Sequence, residues 1–460
     1  MSLINRHHVR NYIGREYYYN LVLQQLKFLI PEGSSVLDIG CGTGNILAQL
    51  KPKRGVGIDF DPRNIEIARN SFLDLEFHQT NVESLKLNEK FDYIILLNSI
   101  GYLKDIQSVF ECLKRNCHRN TRVIIFHYSF LWTPFLRFAE LLHLKKKEKI
   151  QNWVSQEDVI NFLEVGGYDV ILHSEKILFP LWFPLISYLG NKYIANLPGI
   201  KSLDLMHVSV ARVSVEIPPQ ERTCSIIIPA RNEEGNIEAA VKRTPNLGKN
   251  TELIFVEGNS TDNTWNEIKR VAEKYGGRRT IRYAKQSGKG KGDAVRKGFA
   301  LAKNNILIIL DADLTVEPEE IEQFYNLIVS GKGEFINGSR LVYPLAEKAM
   351  KPLNLIGNKC FSLIFTFLLN QRFKDTLCGT KVLTKKNYER IAANRSYFGN
   401  FDPFGDFDLI FGAAKLSLKI VELPIHYQQR TYGTTNINRW RHGQLLLRMC
   451  VFAMRKIKFI

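Results

Sequence analysis

The stretch ILIILDADLTVEPEE, residues 306–320, sets an apolar run of strand length directly against two carboxylates, Asp311 and Asp313. A short run without polar alternation suits a strand covered on both faces, as in a parallel sheet. On extended backbone, residues i and i+2 point the same way, so both acids can face one divalent cation. Mg2+ or Mn2+ takes such oxygens and completes its shell with waters and phosphates. A buried pair of acids without a cation would be costly. Glu317, Glu319 and Glu320 read as acids at the start of the next helix.

Outward from this run, short β-rich segments alternate with helical patterns through the whole chain. In the second half the strands read as CSIIIPA, TELIFVEG and TIRYA, with helices starting near Glu233, Asp262, Gly292 and Glu317. In the first half they read as SVLDIG, GVGID, LEFHQT, FDYIILL and TRVIIFH. This alternation predicts α/β architecture with parallel sheets. Two prolines in the polar stretch VSVEIPPQERT, residues 213–223, interrupt regular structure. The expected organisation is a first domain over residues 1–215, a linker over 216–223, and a second domain over 224–460.

The chain has 460 residues, 45% of them hydrophobic and 24% charged, which excludes long disorder. Its net charge of +17 divides as roughly +4 in the first half and roughly +13 in the second. A basic half suits an anionic partner: a diphosphate, nucleic acid or an anionic bilayer face. Seven scattered cysteines without a CxxC pair point to a reducing compartment and away from zinc. No signal peptide is read in MSLINRHHVR, and no apolar run reaches the length of a spanning helix. ILFPLWFPLISYL (177–189), FSLIFTFLL (361–369) and the basic, apolar carboxyl-terminal segment are candidates for lying on a membrane.

A second chemical signal stands upstream. VLDIGCGTGN places a strand before Gly40, Gly42 and Gly44, with a helix beginning near Asn45. Glycines let backbone approach a ligand closely, and the helix start offers unpaired N–H groups. Asp59 ends the next strand, where a carboxylate can accept from both hydroxyls of a ribose. This half resembles the class I S-adenosylmethionine-dependent methyltransferases over roughly residues 17–210. The resemblance implies that Asp38 and the loop of Gly40, Gly42 and Gly44 hold the methionine part of the cofactor. It implies further that Asp59 holds the ribose and that Asn81, where the family usually has Asp, meets the adenine. His127 and Asn98 lie at strand ends that a methyl acceptor could reach.

Around the Asp pair, SIIIPARNEEGNI, FVEGNSTDNT and SGKGKGDAVRKGFALA follow in order. Together they resemble the family 2 glycosyltransferases of the GT-A fold, and most of all the dolichol- and polyprenyl-phosphate sugar transferases. The resemblance implies that Pro229, Ala230, Arg231, Asn232 and Glu233 cradle the donor nucleotide, with Glu257 and Asp262 nearby. Many relatives end the second strand in DDGS, where this chain has Glu257, Gly258, Asn259 and Ser260; the second acid is missing, which leaves uridine or guanosine open. Asp311 and Asp313 match the metal-binding DxD. Arg340 in NGSR matches an arginine that meets phosphate, and Arg430 a basic residue of a loop over the donor. Asp406 is the candidate base or acceptor-positioning group, with Asp408 second.

The expected fold class is therefore α/β, with two tandem doubly wound domains: a Rossmann-like methyltransferase domain followed by a GT-A glycosyltransferase domain. The expected protein is a bifunctional enzyme using S-adenosylmethionine and Mg2+ or Mn2+. It takes a nucleotide-sugar donor and a lipid-phosphate or glycan acceptor, cytoplasmic or peripheral on an anionic membrane surface. Two alternatives stand beside it. One is a glycosyltransferase with a non-catalytic cofactor-binding module. The other is a nucleic-acid methyltransferase with a basic accessory domain, which the position of the positive charge disfavours, so no nucleic acid is expected.

Overall fold

The computed structural model describes residues 15–85, 87–142, 152, 154–343, 352–397, 405–430, 432 and 439–459. Most of the run TYGTTNIN after Arg430, the run NFDPF before Gly405 and the segment MSLINRHHVR lie outside the described residues. The chain divides into two compact units, one running to Ser214 and the other covering Val215–Lys458.

The first unit is built on strands β1 (Ser35–Ile39), β2 (Arg54–Asp59), β3 (Glu76–Gln79), β4 (Phe91–Leu97), β5 (Cys117–Tyr128), β6 (Tyr168–Lys176) and β7 (Met206–Val213). Their order in the sheet is β3-β2-β1-β4-β5-β7-β6. The central strands are parallel and covered on both faces, which is why their buried stretches read as apolar without strict alternation. The order reverses between β1 and β4, and such a switch point opens a crevice at the carboxyl ends of the strands. β7 runs antiparallel to both β5 and β6. The sheet is thus mixed rather than wholly parallel, because β7 returns between two strands that share a direction. Helix starts are fixed locally: Asp61 and Asp105 cap the helices Pro62–Ser71 and Ile106–Leu113, and Ser155 forms a capping box with Asp158.

The second unit holds β8 (Thr223–Ala230), β9 (Asn250–Glu257), β10 (Thr280–Lys285), β11 (Ile306–Ile309), β12 (Phe335–Ser339), β13 (Lys381–Thr384) and β14 (Ile420–Pro424). Their order is β10-β9-β8-β11-β13-β12-β14. β13 is antiparallel to its neighbours β11 and β12, and β14 is parallel to β12. The carboxyl ends of β8, β9, β11, β12 and β14 therefore share one edge, together with the amino end of β13. Residues 215–222 pack on this unit. Ile217 is buried, its N–H donates to the Val329 carbonyl at 2.8 Å, and Pro219–Glu221 forms a short 3-10 turn. The segment 361–369 lies inside the helix Pro352–Leu369, whose Phe361, Phe365, Leu368 and Leu369 are buried in the core. No described helix is long and apolar enough to cross a membrane.

Candidate functional site

In the first unit the turn after β1 carries Gly40, Gly42 and Gly44, all at positive φ. Gly42 donates its N–H to Asp59 Oδ2 at 2.8 Å, and Asp61 donates to Asp59 Oδ1 at 2.8 Å. The acid at the end of β2 thus fixes the glycine loop. Asp38 is buried, and its Oδ1 has no hydrogen-bond partner. Burial, with the nearby charge of Asp59, pushes its carboxyl up to about 7. An orphaned buried carboxylate oxygen beside a glycine loop fits a ligand that donates from an amino group. A Cβ built on Gly42 meets no heavy atom within 4 Å, so the space the resemblance assigns to the cofactor is open. Asn81 is exposed at the start of a 3-10 turn that follows β3.

The end of β4 adjoins this loop: a Cβ built on Gly40 would lie 2.9 Å from that of Ser99. Asn98, at φ 53°, receives no donor at its Oδ1 but gives its Nδ2 to the Tyr18 hydroxyl at 3.1 Å. The Ser99 hydroxyl and both ring nitrogens of His127 are likewise buried without partners. His127 stacks on His207 across the β5–β7 ladder, with ring centroids 5.2 Å apart. Burial and the neighbouring His207 hold it neutral, down to about 3. The strand-end pattern located Asn98 and His127. Ser99 and Tyr18 were missed, because neither stands in a motif.

In the second unit β11 stops at Ile309, so Asp311 and Asp313 sit in the turn beyond it rather than on extended strand. Each carboxylate meets a different cation. Lys291 Nζ lies 2.6 Å from Asp311 Oδ1, and Arg430 donates to Asp313 Oδ2 at 2.5 Å. Burial works against the charge of Asp311, but Lys291, Lys381 and Arg340 more than offset it and hold its carboxyl below the usual range. Lys291, at the first turn of the helix Lys291–Leu301, also feels Asp406 and Asp313. Arg430 spans further, donating to Glu233 Oε1 at 2.8 Å. Burial raises Glu233 to about 7, against the opposing pull of Asn236 and Arg430.

The turn after β8 is laced to the turn after β9. Pro229 and Ala230 close β8, and Gly258 donates to the Ala230 carbonyl at 2.9 Å. Asn232 takes a hydrogen bond from Thr261 at 2.8 Å, Glu257 takes one from the Ser260 N–H, and Asp262 takes one from Glu234 at 3.3 Å. Arg231 is exposed beside them. Arg340 follows β12 and makes a two-pronged contact with the buried Asp375, at 2.7 and 2.9 Å. Asp406 opens the helix Asp406–Lys415 and receives the buried Lys381 ammonium at 2.7 Å. Asp408 pairs with Arg395 at 2.9 Å. Asp375, Gly379 and Lys381 were not found by motif, and Lys291 was not singled out within the run SGKGKGDAVRKGFALA. A Cβ on Gly379 would overlap both the Asp311 carboxylate and the Lys291 ammonium. Asp375, Gly379 and Lys381 all stand in the run DTLCGTK, residues 375–381, which the sequence reading did not single out.

Among the described residues no three His, Cys, Asp or Glu side chains gather as a metal cage. The donor set fits a hard divalent cation all the same. It offers two carboxylates in a cationic surround at a sheet edge, with room in the shell for diphosphate oxygens.

Residues 30–174 match the family model for a methyltransferase domain, and residues 225–392 that for glycosyl transferase family 2. The chain joins a methyltransferase domain to a family 2 glycosyltransferase domain. The glycosyltransferase domain is similar to Glycosyltransferase AglJ of Haloferax volcanii, 27% identical over 50% of this chain and 71% of that protein. It is also similar to the dolichol-phosphate mannosyltransferase of Pyrococcus furiosus, 30% identical over 46% of this chain and 58% of that protein. The chain thus spans between about a third and four-fifths of the length of the curated relatives it matches. The methyltransferase domain is similar to a solved SAM-dependent methyltransferase of Thermotoga maritima, 20% identical over 43% of this chain and 91% of that chain, at a TM-score of 0.35.

Proposed function

We propose that the glycosyltransferase domain moves a sugar from a nucleotide-sugar to polyprenyl phosphate or another glycolipid or glycan acceptor. The methyltransferase domain moves a methyl group from S-adenosylmethionine to a small molecule or glycan. The observation that carries the first half of this reading is the charge lattice of Lys291, Asp311, Asp313, Arg430 and Glu233 at the shared strand edge. Asp311 and Asp313 would hold a divalent cation, which would offset charge on the departing diphosphate.

The chain's own residues do the rest. The turns of 229–233 and 257–262 hold the nucleotide. Arg430, already bridging Glu233 and Asp313, has the reach to turn its guanidinium onto the diphosphate. Lys291 adds a second positive charge beside Asp311. The acceptor oxygen bonds to C1 of the sugar as the bond from C1 to the diphosphate oxygen breaks on the opposite face, inverting the centre. A lipid phosphate is already ionised, so Asp406, tied to Lys381, positions the acceptor rather than removing a proton.

In the methyltransferase domain, Asp38 and the loop over Gly40, Gly42 and Gly44 hold the methionine part, Asp59 the ribose and Asn81 the adenine. The unpartnered polar atoms of Asn98, Ser99 and His127 orient the methyl acceptor. The basic excess of the second half serves the donor phosphates and an anionic bilayer face, which makes the protein peripheral on the cytoplasmic side of a membrane.

A screen of UDP- and GDP-sugars with Mn2+ or Mg2+, scored by thermal shift and product on a lipid-phosphate acceptor, tests the sugar reading. The Asp313→Asn variant loses both responses. Unchanged transfer by that variant sinks the metal assignment. Labelled methyl from S-adenosylmethionine, chased into a glycolipid extract, tests the other domain.

A further inference from the structure

Two excursions leave the first unit's sheet at the same edge. One follows β5 and the other follows β6. The register pairs Tyr128 with Met206 and Met206 with Lys176, so these strand ends lie side by side with the start of β7 between them. The excursions are tied together. Trp132 donates its indole N–H to the Leu203 carbonyl at 2.7 Å, and Ser129 donates to the Leu205 carbonyl at 2.7 Å. This is the carboxyl edge of the parallel strands, the same edge that carries the glycine loop and Asn98.

Both excursions turn apolar side chains outward. In the helix Thr133–Leu141, Leu136 packs inward, whereas Phe135 and Phe138 are 68% and 60% exposed. In the other, Trp182, Leu185 and Ile186 are 52%, 72% and 61% exposed. A single exposed apolar residue needs no explanation, but outward runs on two adjoining excursions mark a binding surface. The charge around them selects its occupant. Residues 177–203 contain no Asp or Glu, and Lys192 lies over the Tyr188 ring at 5.2 Å. Lys145, Lys146, Lys147 and Lys149 follow the first excursion directly in sequence. Exposed aromatic and aliphatic side chains, in segments poor in acid and followed in sequence by lysines, match the boundary of an anionic bilayer, where rings sit among headgroups and ammonium groups meet lipid phosphate.

The geometry points to a membrane-docking cap on the methyltransferase domain, which seats the mouth of its methyl-donor site on an anionic lipid bilayer. This goes beyond the bilayer contact proposed for the basic second half, and it makes the methyl acceptor an amphiphile presented from that bilayer. The acceptor clause rests on the methyltransferase reading; the docking does not.

The test uses the full chain with phosphatidylcholine vesicles, with and without 30 mol% phosphatidylglycerol (roughly the anionic content at which lysine runs engage). Co-sedimentation and quenching of tryptophan fluorescence by brominated lipid are the readouts. The native chain binds the anionic vesicles and is quenched. Trp182→Phe still sediments but loses most of the quenching. The pair Phe135→Glu with Phe138→Glu weakens binding at least about tenfold. The triple change of Lys145, Lys146 and Lys147 to Ser weakens it on anionic vesicles and removes its salt dependence. Ile356→Glu with Leu363→Glu, on the exposed side of a helix of the other domain, leaves the Trp182 quenching in place. Quenching equal in the native and Trp182→Phe chains overturns the proposal, and being read on a near-native variant it does so even if the Glu variants unfold. A chain that sediments as a dimer until Phe135 and Phe138 are changed, with vesicle binding untouched, overturns it in favour of a second copy. Loss of methyl transfer with docking intact counts only against the methyltransferase reading.

Discussion

At the scale of single residues, the two sites hold their acids in opposite ways. Asp38 is buried without a counter-cation, and its carboxyl rises to about 7 from an ordinary 3.8. The folded chain therefore binds this proton more tightly than the unfolded chain. The stability it contributes is complete below about pH 4 and falls as pH rises toward 7, by about 4 kcal/mol in all. The contact proposed between Asp38 and the cofactor's amino group calls for the ionised form. Affinity for S-adenosylmethionine, followed by calorimetry, should rise by up to about tenfold per pH unit below pH 7 and level off above it. A flat profile would remove Asp38 from the cofactor contact. Asp313 instead rests against Arg430. Arg430→Ala frees its carboxylate. Titration of the donor-free variant should show several-fold tighter Mn2+ binding, while sugar transfer drops about a hundredfold for want of the charge on the diphosphate.

At the scale of elements, two glycines separate folding from binding. Gly42 stands at φ 54° facing open space. Gly42→Ala costs about 1–2 kcal/mol of backbone strain, a fall of a few degrees in Tm, but its methyl enters the cofactor space and should abolish S-adenosylmethionine binding. Gly379 stands against the Asp311–Lys291 pair, so Gly379→Ala pushes that pair apart and should remove the Mn2+-dependent thermal shift while the first domain's melting is unchanged. Gly42 was legible because it stands in a spaced motif after a strand. Gly379 was not, since its neighbours come from distant segments. The same contrast runs through the strands. β1, β2, β4, β8, β9 and β11 are short β-rich segments with mostly apolar middles and could be read directly. β12, as FINGS, and β13, as KVLT, carry glycine, serine and lysine, so local pattern gave them no weight.

At the scale of the whole molecule, each compact unit has its own sheet and core clusters, and the proposed site residues of each chemistry fall within one unit. The two chemistries should therefore separate cleanly by mutation. Asp38→Ala should lose S-adenosylmethionine binding and keep nucleotide-sugar turnover within about twofold; Asp313→Asn should do the reverse, as expected for sites built from the residues of separate compact units. Parallel assays of both activities on the two variants check this, and a loss of both activities in either variant would show that the sites are coupled.

The sequence by itself determined the two α/β units, the glycine loop with Asp38 and Asp59, and the acids at the end of β11. Each is local: an apolar run, a turn and a polar end occur within a few residues and carry their own physical reason. Only the tertiary structure decided which cations answer those acids. Lys381 looks like any surface lysine in the chain, yet β13 runs against its neighbours, which brings its amino end to the site edge and buries the ammonium against Asp406. Likewise Arg430, far along the chain from Glu233, closes onto it because β14 and β8 point to one edge. Strand direction is set by the packing of the whole sheet, and no window of sequence contains it.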